Sequence, residues 1–235
     1  MDMCQIANLS IIITTFNDWE YIRRTIASCF MQDVWPEIVV VNDGGHVFFK
    51  VDDFIRNAWC TYVELDENVG LAEARDAGIK KARNDNILPL DTVDWLHVDV
   101  LGDMLCAFDG GVDVVYGNMT VDDVSVVYKP PGKDGITVDG MKKINQLWCT
   151  SMFRKSIWEK VGGYSNGLHT SYEDYFYFCK CLMAGAKFQY IDKTIYNHTH
   201  NPNSMLSKLH KNTDYYNNLA RQPLFGDGTQ KLYNL

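Results

Sequence analysis

Asn86-Ile-Leu-Pro-Leu-Asp91-Thr-Val-Asp94-Trp-Leu96 carries a short apolar run into the interior and stops it at two acids. In an open α/β sheet, ligands gather outside the carboxyl ends of the strands, so acids placed there face a crevice. Two carboxylates at such an end suit a hard divalent cation that carries a diphosphate. The other reading is a strand end followed by a helix cap. The flanking sequence decides between them.

Upstream, residues 9–13 form a β-branched run of the kind buried on both faces of a sheet, and residues 14–18 read as its exit loop. Trp19, Ile22, Ile26 and Phe30 then recur at helical spacing. A second strand over 37–42 ends in Asp43-Gly-Gly45, a helix is expected over 47–58, and a third strand over 61–65. Asn68-Val-Gly70 turns into an Ala-rich helix over 71–83, and residues 87–90 are the fourth strand, with Pro89 an odd member because it lacks a ladder N–H. Downstream, Trp95, Val98, Leu101, Leu105 and Phe108 predict another helix, and residues 112–116 a fifth strand. Strands alternating with helical periods give an α/β fold with right-handed crossovers and a mostly parallel central sheet flanked by helices.

After Gly117 the rhythm changes. Strands are expected over 124–129 and 147–153, with a loop over 130–135 between them. A short helix over 154–161 is stopped by Gly162-Gly163. A buried helix over 172–185 and a strand over 188–191 follow. From Tyr196 the chain is polar, with His198, His200 and His210, and a helix is expected over 204–220. The second half is expected to complete one domain over 1–235, with a donor-binding half at about 1–117, an acceptor half at about 118–205 and a C-terminal helix and tail at about 206–235.

The 235 residues are 46% apolar, with 13 Tyr, 11 Phe and 6 Trp, enough for a sizeable packed core. A net charge of −8 argues against a broad nucleic-acid footprint, though not against one anionic ligand held by a few local cations. The longest apolar runs are too short to span a bilayer, and residues 1–10 lack the pattern of a signal peptide. The seven cysteines show no zinc spacing and read as reduced packing thiols of a cytoplasmic protein.

Several stretches, in order, resemble the family 2 glycosyltransferases of the GT-A fold. Ser10-Ile-Ile-Ile-Thr-Thr-Phe-Asn17 is similar to that family's opening strand and loop, and Ile38-Val-Val-Val-Asn-Asp-Gly-Gly45 to its second-strand signature. Asn68-Val-Gly-Leu-Ala-Glu-Ala-Arg-Asp-Ala-Gly-Ile79 resembles the Gly-Leu-x-x-Ala-Arg-Asn-x-Gly segment. Asp91-Thr-Val-Asp94 stands where the family carries its Asp-x-Asp-Asp metal motif. Phe153-Arg-Lys-Ser-Ile-Trp-Glu-Lys-Val-Gly-Gly-Tyr164 and Tyr172-Glu-Asp174 resemble the acceptor-side block, which implies an antiparallel extension of the sheet.

The resemblance implies an inverting transferase that moves a sugar from a nucleoside diphosphate, UDP by default, to a hydroxyl of a glycan or a lipid-linked intermediate. Peripheral association with a membrane is compatible with that acceptor. On the donor side it implies Thr15, Phe16 and Asn17, Asp43 at the base, Arg75 near the base or diphosphate, and Asp91 on the nucleotide. It assigns Asp94 to Mn2+ or Mg2+, with His200 or its neighbour His198 completing the metal site. Asp174, with Glu173 beside it, is the expected catalytic acid pair, because attack by a hydroxyl needs a base and the departing diphosphate needs neutralising charge.

Each assignment has a plainer counterpart: a core or loop Phe16, a turn Asp43, a solvated helix Arg75, surface histidines, and an acidic pair at a helix start. Val93 replaces one acid of the metal motif, which keeps open a metal-independent or non-catalytic binder of nucleotide sugars. A nucleotidyltransferase is disfavoured because Thr14-Thr-Phe-Asn-Asp18 carries no basic Gly-rich phosphate loop, and a DNA-base glycosyltransferase by the acidic charge.

Overall fold

The β-branched run after Leu9 lies inside the first strand of one large sheet in the computed structural model, which describes residues 6–46, 55, 60–164 and 172–200. Strand β1 spans Ile6–Thr15, followed by α1 (Ile22–Phe30), β2 (Trp35–Asn42) and β3 (Thr61–Glu64). Next come α2 (Leu71–Lys81), β4 (Asn86–Asp91), β5 (Trp95–Leu96), α3 (Leu101–Cys106) and β6 (Val114–Val121). The chain continues through α4 (Val138–Met141), β7 (Met152–Arg154), α5 (Lys155–Val161), α6 (Glu173–Met183) and β8 (Phe188–His198). The strand order is β3-β2-β1-β4-β7-β6-β8-β5. The first four pair in parallel, β7 runs antiparallel to β4 and β6, β8 is parallel to β6, and β5 is antiparallel to β8.

Alternation along each strand divides the core between the two faces of the sheet. Ile12, Val39 and Val41 pack with Ala74 and Ile79 of α2, Trp158 of α5 and the aromatic residues of α6. Leu9, Ile11, Ile13, Ile38 and Val40 pack on the other face with Ile22, Ile26 and Cys29 of α1 and Leu101 and Met104 of α3. Burying each such side chain is worth about 1.5–3 kcal/mol, so a one-residue slip of β1, which exchanges its faces, is strongly opposed. Gly78 lets α2 lie close on this sheet, because a Cβ there would meet Ile12 Cγ2 at 2.5 Å.

Pro89 sits opposite Ile12 in an unbroken β1–β4 register. On its other side β4 pairs with β7 only at Asn86 and Ile87, so Pro89 lies where one neighbour has already ended.

Asp76 fastens the second half to α2. Its Oδ1 accepts from Trp158 Nε1 at 2.7 Å and from the Tyr164 N–H at 2.8 Å. Between them Gly163 turns through φ 81°, and a Cβ there would lie 2.8 Å from Asp76 Oδ2. Gly163→Ala is therefore expected to lower stability by about 1–3 kcal/mol, seen as a lower urea midpoint with an unchanged slope. A midpoint equal to that of the parent would refute this packing role.

Several elements differ from the sequence reading. The helix expected from Trp95 starts only at Leu101, because Trp95 and Leu96 pair with Asn197 and Tyr196 of β8 and Asp99 turns through φ 53°. Gln32 Oε1 and Asp33 Oδ1 accept the Val100 and Gly102 N–H groups at 3.1 Å, starting α3 from outside its own sequence. Residues 124–129 make a single bridge, Tyr128 to Met119, instead of a strand. Of the expected strand over 147–153, only Met152–Arg154 is regular, forming β7. The last strand runs to His198 because it absorbs Asp192 and Lys193 in a bulge, four residues of β8 spanning two of β6. Apart from residue 55, the helix expected over 47–58 lies outside the described residues, as do the one over 204–220 and His210. Among the described residues, no helix is long and apolar enough to cross a membrane.

Candidate active site

Strand register builds the donor-side edge. Thr15 pairs with Asn42, and Thr14 with both Val41 and Asp91, so the loops after β1, β2 and β4 leave the sheet side by side. Thr15 is buried, and its carbonyl accepts the Asp43 N–H at 2.9 Å. Phe16 is 45% exposed at this rim, so its ring is open to a planar partner. Asn17 adopts φ 64°, and its Oδ1 accepts the His46 N–H at 2.9 Å, tying the first exit loop to the second. Asp43 is buried directly after β2 and braces the turn that starts α2. Its carboxylate accepts from Val69 N at 2.8 Å, Gly70 N at 3.1 Å and Asn68 Nδ2 at 3.2 Å.

Arg75 is neither a solvated helix residue nor open to the crevice. It is 1% exposed, and its guanidinium forks between two acids. Nη2 meets Asp91 Oδ1 at 2.7 Å and Nη1 meets Glu173 Oε1 at 2.7 Å, with the Tyr164 ring 5.5 Å from Cζ. The two acids keep the guanidinium charged, while burial pushes the Glu173 carboxyl up against the pull of Arg75.

Asp94 is fully buried. Its Oδ1 accepts the Thr199 N–H at 2.9 Å and lies 3.2 Å from His198 Nδ1. The β5–β8 pairing makes this contact: Trp95 opposite Asn197 puts Asp94 next to His198. Burial pushes the Asp94 carboxyl up, and its hydrogen bond raises the His198 imidazole. The histidine beside Asp94 is thus His198, at the end of a strand, rather than His200. His200 is exposed, and its N–H donates to Asp122 Oδ1 at 2.6 Å. Val93 contributes a carbonyl, which accepts from Arg24 Nη2 at 2.9 Å.

Among the described residues, no three potential metal ligands cluster. One carboxylate and one imidazole nevertheless fit an ion that takes its other ligands from a diphosphate and water. Among the described residues, the Thr199 N–H and the His198 imidazole hold the buried Asp94 carboxylate, a set that can share it with a cation.

Glu173 and Asp174 open α6, where the helix N-terminus favours negative charge. Glu173 is 6% exposed and bound to Arg75, so the two neighbouring acids have different surroundings. Asp174 is half-buried and its Oδ2 accepts from Asn145 Nδ2 at 3.1 Å. Burial raises its carboxyl above the ordinary aspartate value, against opposing pulls from Arg75, the Tyr175 N–H and Asn145.

Cys149, read from sequence as one packing thiol among seven, lies within the electrostatic reach of these groups. Burial pushes its thiol well up, and Asp91, Asp174 and Asp94 push it further while Arg75 opposes them. Only long-range packing brings Cys149 and Asn145 to the site. Neither carries a local signal in the sequence.

Residues 10–183 match the model of a family described as glycosyl transferase family 2. A curated relative, the putative glycosyltransferase EpsH of Bacillus subtilis, is 23% identical over 225 residues, covering 86% of this chain and 64% of that protein. Among solved structures, S. aureus TarS 1-349 in complex with UDP-GlcNAc superposes with a TM-score of 0.71 at 21% identity, over 85% of this chain and 60% of that one. The mannosyltransferase PcManGT from Pyrobaculum calidifontis, in complex with GDP-Man and Mn2+, gives a TM-score of 0.62 at 16% identity, over 86% of this chain and 60% of that one. The shared architecture is the GT-A fold, and the chain spans about 64% of the length of the curated relative EpsH.

Proposed function

The chain belongs to glycosyl transferase family 2, and on that premise we propose that it transfers a sugar from a nucleoside diphosphate, UDP in the first instance, to an acceptor hydroxyl with inversion. One observation carries the reading. Arg75 bridges Asp91 at the end of β4 to Glu173, the neighbour of Asp174, at 2.7 Å on each side, and the β5–β8 pairing sets Asp94 beside His198, so three distant parts of the chain bring their acids together beyond the end of β4. Uridine as the nucleoside is supported by the likeness to TarS in complex with UDP-GlcNAc. A glycan or lipid-linked hydroxyl is the proposed acceptor.

In this mechanism the nucleotide lies along the carboxyl edge of β1, β2 and β4, with Phe16 stacking on the base and Thr15, Asn17, Asp43 and Asp91 lining the nucleotide side. Asp94 and His198 would hold a Mn2+ or Mg2+ ion, which supplies positive charge to the diphosphate when bound. Asp174 takes the proton of the acceptor hydroxyl. The acceptor oxygen bonds to the anomeric carbon as the bond to the diphosphate breaks, and that electron pair leaves with the nucleoside diphosphate. Asn145 keeps the Asp174 carboxylate oriented for this transfer. Asp174 carries charge only above its raised pKa, so turnover falls as pH drops through that value.

A thermal-shift and calorimetric screen of UDP, UDP-GlcNAc, GDP and GDP-mannose, each with Mn2+ and with EDTA, tests the reading. The expected result is stabilisation by one nucleoside diphosphate that EDTA abolishes. No response to any of them would overturn it.

A further inference from the structure

Arg75 joins the donor side of the crevice to the catalytic turn. Its two terminal nitrogens are each 2.7 Å from a different carboxylate, one on the last residue of β4 and one on the first residue of α6. Buried ion clusters are a poor source of stability, because desolvation offsets most of the attraction. This cluster is also incompletely matched: among the described residues, Arg75 Nε and Glu173 Oε2 are buried without a hydrogen-bond partner. A guanidinium offers what a packed apolar side chain does not, a rigid planar fork that sets the distance and angle between two carboxylates.

Resting on the transferase reading above, we propose that Arg75 is a positioning residue: through Glu173 it fixes the first turn of α6, and hence Asp174, relative to the donor-side Asp91. Glu173 is then the handle by which Arg75 holds the turn, and the proton is taken by Asp174 alone. An in-line displacement needs base and leaving group on opposite sides of the anomeric carbon, so the spacing that Arg75 sets is part of the reaction geometry. Among the described residues, the charged and titratable groups that face Arg75 are Asp91 from β4, Glu173 from α6, Tyr164 after α5 and Cys149 before β7. Those that act on Asp174 include Arg75 and Asp91.

Arg75→Lys keeps the charge and loses the fork. It is expected to lower kcat by about 10- to 100-fold while donor KM changes little, since a small misplacement of a catalytic group costs that much. Glu173→Gln keeps an acceptor for Nη1 and is expected to be clearly milder. A merely structural Arg75 would scale kcat with the folded fraction and leave the pH profile in place. Weakening the clamp instead moves the acid limb of kcat upward, because Arg75 opposes the burial that raises Asp174. Wild-type kcat and an unmoved acid limb in Arg75→Lys would overturn the proposal. If the wild type turns over no nucleotide sugar, the transferase reading fails separately. The clamp is then judged by carboxyl NMR titration of Asp174 and Glu173 in Arg75→Gln, with Arg75→Lys as the fallback if that variant does not fold. Upward shifts support the clamp and unchanged titrations refute it.

Discussion

Asp174→Asn is expected to reduce sugar transfer by about two orders of magnitude or more, the usual scale for loss of a general base. The substitution is isosteric, and the amide oxygen can still accept from Asn145 Nδ2, so the local geometry survives. What disappears is the capacity to take a proton. Stability should not fall. Burial raises the Asp174 carboxyl, so the folded state binds its proton more tightly than the unfolded chain does. Between the two pKa values, stability falls as pH rises, and that loss persists at neutral pH. The neutral amide removes this loss, so the melting temperature at pH 7 should match or exceed that of the parent. Donor affinity should also change little, because Asp174 serves the acceptor. A variant with parental turnover would remove Asp174 from the mechanism. One that melts earlier and binds donor poorly would make it a structural acid.

Asp94→Asn is expected to abolish the metal-dependent part of donor binding, weakening Kd by about 10- to 100-fold, or ~1.4–2.7 kcal/mol. Calorimetry with UDP in Mn2+ and in EDTA measures it, and the variant in Mn2+ should resemble the parent in EDTA. The amide can still accept the Thr199 N–H, so the Asp94–Thr199 contact remains. Its charge is lost, and with it half of the donor pair that Asp94 forms with His198. Val93 supplies no second acid to compensate. Unchanged Mn2+-dependent affinity would mean that the diphosphate is held elsewhere, for which the exposed His200 and the neighbouring Asp122 are the next residues to test.

Much of the fold was legible because its signals are local. The β-branched runs before Thr14 and before Asn42 are buried on both faces, as continuous apolar strands of a parallel sheet must be. Gly162 takes the left-handed conformation at the end of α5, as a helix-stopping glycine does. Reading failed where partners are distant. Trp95 and Leu96 have helical spacing to Leu101, yet β8 recruits them as a strand, and Asp192-Lys193 looked like a strand end before the bulge accommodated both. Short apolar segments take the conformation that their neighbours impose.

The same division holds at the site. The acids at the end of β4 stood out from their place at a strand end, and the Glu173-Asp174 pair from its resemblance to the family's acceptor-side motif. The sequence also placed Thr15, Phe16, Asn17 and Asp43 on neighbouring exit loops, because parallel strands bring their carboxyl ends together. Tertiary structure decided the partners. It chose His198 rather than His200 for Asp94, through a pairing of strands about a hundred residues apart. It also set Arg75, expected near the base or diphosphate, as a buried fork between Asp91 and Glu173, 16 and 98 residues away. Composition and periodicity report what one residue prefers with its near neighbours. Which carboxylate a buried cation meets is set only when the sheet and its covering helices close around it.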